Sequence, residues 1–308
     1  MQRCTCLAIL AALNFATIAF AKVTVEKSDG GAIVKIDGDL FTEYLTKSGN
    51  KPVLWPIIAP GGKRITRGYP IEPQPGETDD HVHQRGLWFT HGDVNGVMFW
   101  NQDKGSGEIR HRELTKLESD EQGVIGSIND WLAPDGKRVC TEEQTWRFSG
   151  DDQVRIIDAT LTLHASDGEL IFGDNKEGSF GLRVADSIRV DSMKGGKIVN
   201  SEGATDKSVW GRPAAWVDYH GPIEGQSLGV AILDHPSNPS HPVRWHVRTY
   251  GLFAANPFTR KGFDPSLSRA TVTVPKGESI TFKYRVIVHR GDEQEGRIAE
   301  RYAEFVKP

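Results

Sequence analysis

The sequence predicts an all-β protein: a large antiparallel two-sheet sandwich with a short helix at the C-terminus. Three observations carry this. Apolar and polar residues alternate with a period of two in several segments, as half-buried strands do. The 308 residues include 33 glycines and 16 prolines, a turn-rich composition. A helical period occurs only near the end of the chain.

In chain order, Val23–Val25 and Ala32–Ile36 flank Gly30-Gly31 and read as an opening hairpin. Residues 52–80 are rich in Pro and Gly and form the longest irregular stretch, which reads as a binding loop rather than a disordered linker. Arg155–His164 alternates as a strand does, and Leu228–Leu233 is a short apolar run of the buried-strand type. Ala270–Val274 and Ile280–Val288 surround Pro275-Lys276-Gly277, a second hairpin signal. In Gly296–Val306, Ile298, Tyr302 and Phe305 fall at i, i+4 and i+7, which predicts a terminal helix packed on a sheet. No internal repeat or boundary divides the chain. The expectation is one domain over 22–308, a sandwich in preference to a closed barrel.

Residues 1–21 read as a cleaved leader. Arg3 precedes a mostly apolar run from Leu7 to Phe20, and Ala19-Phe20-Ala21 fits an A-x-A cleavage site before Lys22. The expected location is periplasmic or secreted. Cys4 and Cys6 would leave with the leader, so Cys140 alone remains and no intramolecular disulfide is expected. No later stretch is long and apolar enough to span a bilayer. The net charge is −4 with no basic block, which argues against nucleic acid or an anionic membrane as partner. The expected partner is a carbohydrate or another small molecule.

Residues 78–100, TDDHVHQRGLWFTHGDVNGVMFW, hold the densest chemistry. His81, His83 and Arg85 alternate. On a strand they would share one face and suit an anion, a polyol or a divalent metal held by the histidine cluster. A solvated strand face is the alternative. His91-Gly92-Asp93 is an H-x-D pair that, with a distant His246, would resemble a two-histidine, one-carboxylate iron site. Alternatively, Asp93 turns the chain before Asn95-Gly96, a type I′ pair. Trp100 offers a stacking surface. A second stretch, 172–183, sets Asp174, Lys176, Glu177 and Arg183 among glycines. Lys176 and Glu177 are an acid–base candidate if their environments separate their pKa values, and an exposed charged hairpin if not. A third stretch, 234–246, gathers Asp234, His235, Arg244 and His246 in a proline-rich loop entering a strand, with Asn256 just beyond. Arg244 and His246 would share a face, and Trp245 would point into the core. Trp210 and Trp216 suit either sugar stacking or core packing.

Four blocks, DDHVHQRGLWFTHGDVNGVMFW, FGDNKEGSFGLRVADS, WGRPAAWVDYHG and DHPSNPSHPVRWHVRTYGLFAANPF, resemble the bacterial family called PmoA-like, or methane oxygenase PmoA, over most of the chain. That family's histidine block usually reads D-H-P-H-H-R, and here Val82 and Gln84 replace the proline and one histidine. The resemblance implies an exported protein of polysaccharide-degrading bacteria with a supersandwich fold like that of galactose mutarotases. The functional expectation is a carbohydrate-active protein using His/Glu acid–base chemistry of epimerase, lyase or hydrolase type. Catalytic candidates are His81, His83, His91, Lys176, Glu177 and His246. Substrate-binding candidates are Arg85, Asp93, Trp100, Asp174, Arg183, Asp234, His235, Arg244 and Asn256. The alternatives are a non-catalytic glycan-binding protein and a metal-dependent oxygenase centred on His91 and Asp93.

Overall fold

Alternation of apolar and polar residues builds two antiparallel sheets of eight strands each. The computed structural model describes residues 21–307, and the expected leader lies outside them apart from Ala21. From edge to edge, the first sheet runs Val23–Lys27, Gly31–Ile36, Asp39–Ser48, Lys51–Ile57, Leu87–His91, Gly178–Arg183, Leu252–Asn256 and Arg244–Val247. The second runs Lys197–Asn200, Trp216–Ile223, Gln226–Asp234, Ser279–Arg290, Val154–His164, Arg138–Gly150, Gly123–Leu132 and Glu108–Glu118. The helix Ile298–Phe305 closes the described chain.

The inner faces share one apolar core. Leu87, Phe89, Phe180, Leu182 and Phe253 of the first sheet meet Trp146, Ile157, Leu161, Phe282 and Tyr284 of the second. Phe180 stacks on Tyr284 with ring centroids 4.5 Å apart, and Phe89 tilts against Phe282 at 5.4 Å. Such pairs add roughly 0.5–1.5 kcal/mol each beyond the area they bury. Cys140 lies in this core as a free thiol, its pKa pushed up by burial. Trp245 also points inward, as its place between Arg244 and His246 predicts.

Three expectations need correction. The irregular stretch starts later than residue 52, because Lys51–Ile57 is a strand. Its prolines are tolerated because the ladder is broken there: the pairing with Asp39–Ser48 shifts register twice, and Leu54 alone pairs with Leu87. The signal around Pro275-Lys276-Gly277 is not a hairpin. Val272–Val274 pairs with Leu170–Phe172, whereas Ser279–Arg290 enters the second sheet between Gln226–Asp234 and Val154–His164. His81, His83 and Arg85 lie on no strand, because residues 78–86 form a loop over the outer face of the first sheet. The opening hairpin and the terminal helix form as expected. Ile298, Tyr302 and Phe305 pack with Trp216 and Leu233 on the outer face of the second sheet.

Candidate functional site

The site is built on the outer face of the first sheet, where alternate residues point away from the core. Trp88 pairs across the sheet with Gly181, Gly181 with Ala254, and Ala254 with His246. One row therefore runs from a tryptophan through two small residues to a histidine. The glycine is required: a Cβ at position 181 would sit 2.7 Å from the Trp88 ring. Val53, Trp55, Leu252 and Trp100 complete an apolar floor, against which Tyr250 packs half-buried. Trp100 is only 1% exposed, so it is a backing wall and not the stacking surface its position suggests. It lies nearly parallel to His246 at 6.3 Å and tilted to His83 at 6.2 Å.

Three predicted histidines gather above this floor. His81 and His83 have ring centroids 5.9 Å apart, and His81 stacks on Tyr250 at 4.9 Å. Glu177 Oε2 is 3.8 Å from His246 Nδ1, and that buried nitrogen has no hydrogen-bond partner. Lys176 pairs with Glu177 at the exposed rim. Burial, then the charge of Lys51, pulls the His83 pKa down to about 4. Burial pulls His246 down to about 4 as well, against the charge of Glu177. Both imidazoles are therefore neutral at pH 7, each with one N–H and one lone pair. Asn256 stands behind this group: its amide donates to the carbonyls of Asn175 and Lys176 and fixes the turn that carries Glu177.

A second group locks the loop. Arg67 and Arg183, whose side chains are fully buried, both donate to Asp80 Oδ1, at 2.6 and 2.8 Å. Burial raises the pKa of Asp80, but Arg183 and Arg67 outweigh it and hold the carboxyl below its ordinary range. The other oxygen, Oδ2, faces His81 Nδ1 at 3.1 Å. That contact favours the Nδ1–H tautomer and leaves Nε2 as the free lone pair. Gln84 accepts from Arg183 Nη1 at 2.6 Å, so the glutamine that replaces a histidine in the resembling motif serves the scaffold. Lys51 is buried, donates to the His83 carbonyl at 2.8 Å and lies 5.7 Å over the Trp88 ring. Burial, then Arg85, lowers its pKa to about 7.

Several predicted residues lie elsewhere. His91 is on the core side of its strand, between Phe258 and Phe172. Its Nε2–H donates to the Gly173 carbonyl at 2.8 Å, and Nδ1 lies 3.3 Å from the Ser179 hydroxyl. His246 is on the opposite face, so His91, Asp93 and His246 cannot share an ion. Asp93 instead accepts from Gly96 N in the Asn95-Gly96 turn, where both residues have positive φ. Asp174 accepts four backbone N–H groups, from Arg260, Lys261, Gly262 and Ala270, and pins their loop. Asp234 accepts from Asn238, His241 and Val243 and closes the proline-rich loop at the second sheet. His235 packs there against Phe305. Arg85 folds back to Val82 and Gln102, and Arg244 donates to the Gly211 carbonyl.

Arg67, Lys51, Arg248 and Tyr250 are site residues the sequence reading did not single out. A signal existed for two of them: His246, Arg248 and Tyr250 continue a period of two. Lys51 and Arg67 carry no local signal, because their burial depends on the loop folded over them.

Among the described residues, the donor trio close enough to share an ion is Asp218, His220 and Glu293, on the second sheet rather than in the histidine cluster. Asp218 and the facing nitrogen of His220 are already engaged, although Glu293 lies 3.7 Å from His220 Nδ1. Asp218 Oδ1 accepts from His220 Nδ1 at 2.6 Å, and Oδ2 accepts from His289 Nε2 at 2.7 Å. An ion there would have to displace a hydrogen-bonding proton.

No curated protein matches the sequence. The fold is similar to that of the GH36 alpha-galactosidase AgaB from Geobacillus stearothermophilus, with 10% identity and a TM-score of 0.41 over 92% of this chain and 42% of that one. The chain thus spans about two fifths of that enzyme's length. It is also similar to Slr1438 from Synechocystis, with 8% identity and a TM-score of 0.36 over 93% of this chain and 100% of that one. A third likeness is to a galactose mutarotase related enzyme from Lactobacillus acidophilus, with 9% identity and a TM-score of 0.33 over 87% and 95% of the two chains. Residues 32–303 match a family described as a family of unknown function, DUF6807, and the chain belongs to that family.

Proposed function

We propose that the protein is an exported carbohydrate-active enzyme that works by acid–base chemistry on a glycan held over the outer face of the first sheet. The observation that carries this reading is the unpaired His246–Glu177 contact at 3.8 Å, beside neutral His83 and the half-buried ring of Tyr250. A carboxylate beside a neutral imidazole supplies a proton acceptor and a hydrogen-bond donor at one pH. Glu177 takes the proton from the substrate and returns it as the neutral acid, while the His83 N–H donates a hydrogen bond to the oxygen that gains charge. His246 lies on the buried side of Glu177, within 3.8 Å of its carboxylate. His81, oriented by Asp80, adds a further imidazole at the rim. The half-buried faces of Tyr250 and Trp210 suit a pyranose ring, which joins apolar C–H faces to hydroxyls.

Real-time proton NMR of a glycan panel with the wild-type protein and with Glu177→Gln tests the reading. The same spectra report anomeric exchange, elimination and hydrolysis. The expected result is turnover of one glycan class by wild type and loss of turnover with retained binding in Glu177→Gln. Binding without turnover in both would leave a glycan-binding module. The absence of both binding and turnover would reject a carbohydrate role.

A further inference from the structure

The charge around the site is unbalanced. Lys176 is matched by Glu177, and Arg189 by Asp186 and Asp191. Arg67 and Arg183 share one carboxylate, Asp80, while Lys51, its pKa lowered to about 7, and Arg248 pair with none. Two of these guanidiniums are fully buried, and in both Nε lacks an acceptor. Lys51 has a single partner, a carbonyl. Burying cations without matching carboxylates is costly, and scaffold needs alone do not call for it.

Arg248 differs from the others. Its guanidinium lies 5.7 Å over Trp210 and 5.7 Å over Tyr250, held by two aromatic faces. Among the described residues, none of its side-chain donors has a hydrogen-bond acceptor. Lys207, Trp210, Val247, Arg248 and Thr249 line a cavity of about 180 Å³ there. Arg248 is exposed, and a guanidinium flanked by two aromatic faces, beside a cavity and with no protein acceptor, suits a two-oxygen anion. The donors of Arg67 and Arg183 are engaged by Asp80, Gln84, Thr78 and backbone carbonyls, so those two add potential rather than contacts.

From this we infer that the glycan is anionic, with a carboxylate or sulfate group held by Arg248 in the cavity beside Trp210. The inference rests on the proposed carbohydrate function. The chemistry common to uronic acids and sulfated sugars is a multi-oxygen anion on a pyranose ring, and the test separates the two.

The test is binding to an array of uronic-acid, sulfated and neutral oligosaccharides at low and high salt, with wild type and with Arg248→Met, which keeps an apolar stem against Trp210. Wild type should prefer one acidic class over the neutral sugars by about tenfold or more, the scale of one charge-assisted hydrogen-bonded contact. The preference should shrink at high salt and fall close to one in Arg248→Met. Preference for uronic acids would identify the anion as carboxylate, and preference for sulfated sugars as sulfate. Equal affinity for neutral and acidic sugars, or a preference that survives in Arg248→Met, would overturn this inference and leave the carbohydrate function standing. Failure to bind any sugar would overturn both.

Discussion

The two sheets carry matching rows of residues on their outer faces and use them in opposite ways. On the first, Trp88, Gly181, Ala254 and His246 are neighbours. On the second, His220 pairs with Gly229, and Gly229 with His289. Each row has a glycine that makes room for a ring: a Cβ at Gly229 would fall 2.3 Å from His289. Histidine and carboxylate meet in both places. On the second sheet the contacts are hydrogen bonds of 2.6 and 2.7 Å to a fully buried Asp218, beneath the segment that leads into the terminal helix. His289 also donates from Nδ1 to the Arg290 carbonyl at 3.0 Å, so with Asp218 ionised both of its nitrogens carry protons. On the first sheet His246 and Glu177 stop at 3.8 Å, with a buried nitrogen left over. Residue type does not separate a saturated cluster from an open one. Satisfaction of the donors and acceptors does.

The comparison breaks most visibly at Asp218. Asp218→Ala should cost about 3–5 kcal/mol of stability, because it leaves a buried imidazolium without its counter-charge. Urea denaturation followed by tryptophan fluorescence measures the loss. A cost below about 1 kcal/mol would show that the cluster is not holding the sheet. Glu177→Gln should act in reverse. Turnover should fall about a hundredfold or more, while the unfolding free energy changes by no more than about 0.5 kcal/mol, as for a rim residue. A Glu177→Gln protein with full activity would remove the acid–base assignment.

Gly181→Ala sharpens the comparison at the floor of the site. The new methyl would meet the Trp88 ring and must push it toward Trp100, whose ring centroid is 5.4 Å from that of Trp88. The expected cost is about 1–3 kcal/mol, as for overpacking. Glycan affinity should fall with it, since His83 and His246 both lean on Trp100. Unchanged stability and affinity would mean that the row through Gly181 has slack.

How much of this was legible in the sequence follows from the range of each cause. Alternation is local, so the sandwich, the opening hairpin, the inward Trp245 and the terminal helix could be read directly. Strand partners are not local: Val272–Val274 looks like half of a hairpin with the next strand, yet it joins Leu170–Phe172. The site was legible where charged residues bracket a strand, as with Glu177, Arg183 and His246. His91 was misread because composition does not say which face of Leu87–His91 meets the core. Asp174 and Asp234 were misread because an acid beside glycine or proline equally suits a loop pin, and backbone N–H groups claim both. Lys51 and Arg67 were missed because the loop of residues 78–86 buries both, and nothing beside them in the sequence shows that it folds over them.

The last difference expected is in pH dependence, and it has opposite signs on the two sheets. Asp218 raises the pKa of His289 above its ordinary value, outweighing burial. A raised pKa means that the folded state binds the proton more tightly than the unfolded chain. The His289 contribution is therefore complete below the ordinary histidine pKa and is lost as pH rises through the raised value. His83 and His246 are lowered from 6.5 to about 4. There the unfolded chain holds the proton more tightly, so their contribution is complete above about 6.5 and is lost as pH falls toward 4. Stability measured against pH should show both flanks. His289→Asn should flatten the alkaline flank, and His246→Asn should flatten part of the acid flank. If His246→Asn left the acid flank untouched, burial would not be holding the His246 pKa below its value in the unfolded chain, and the assignment of a depressed His246 pKa would fall.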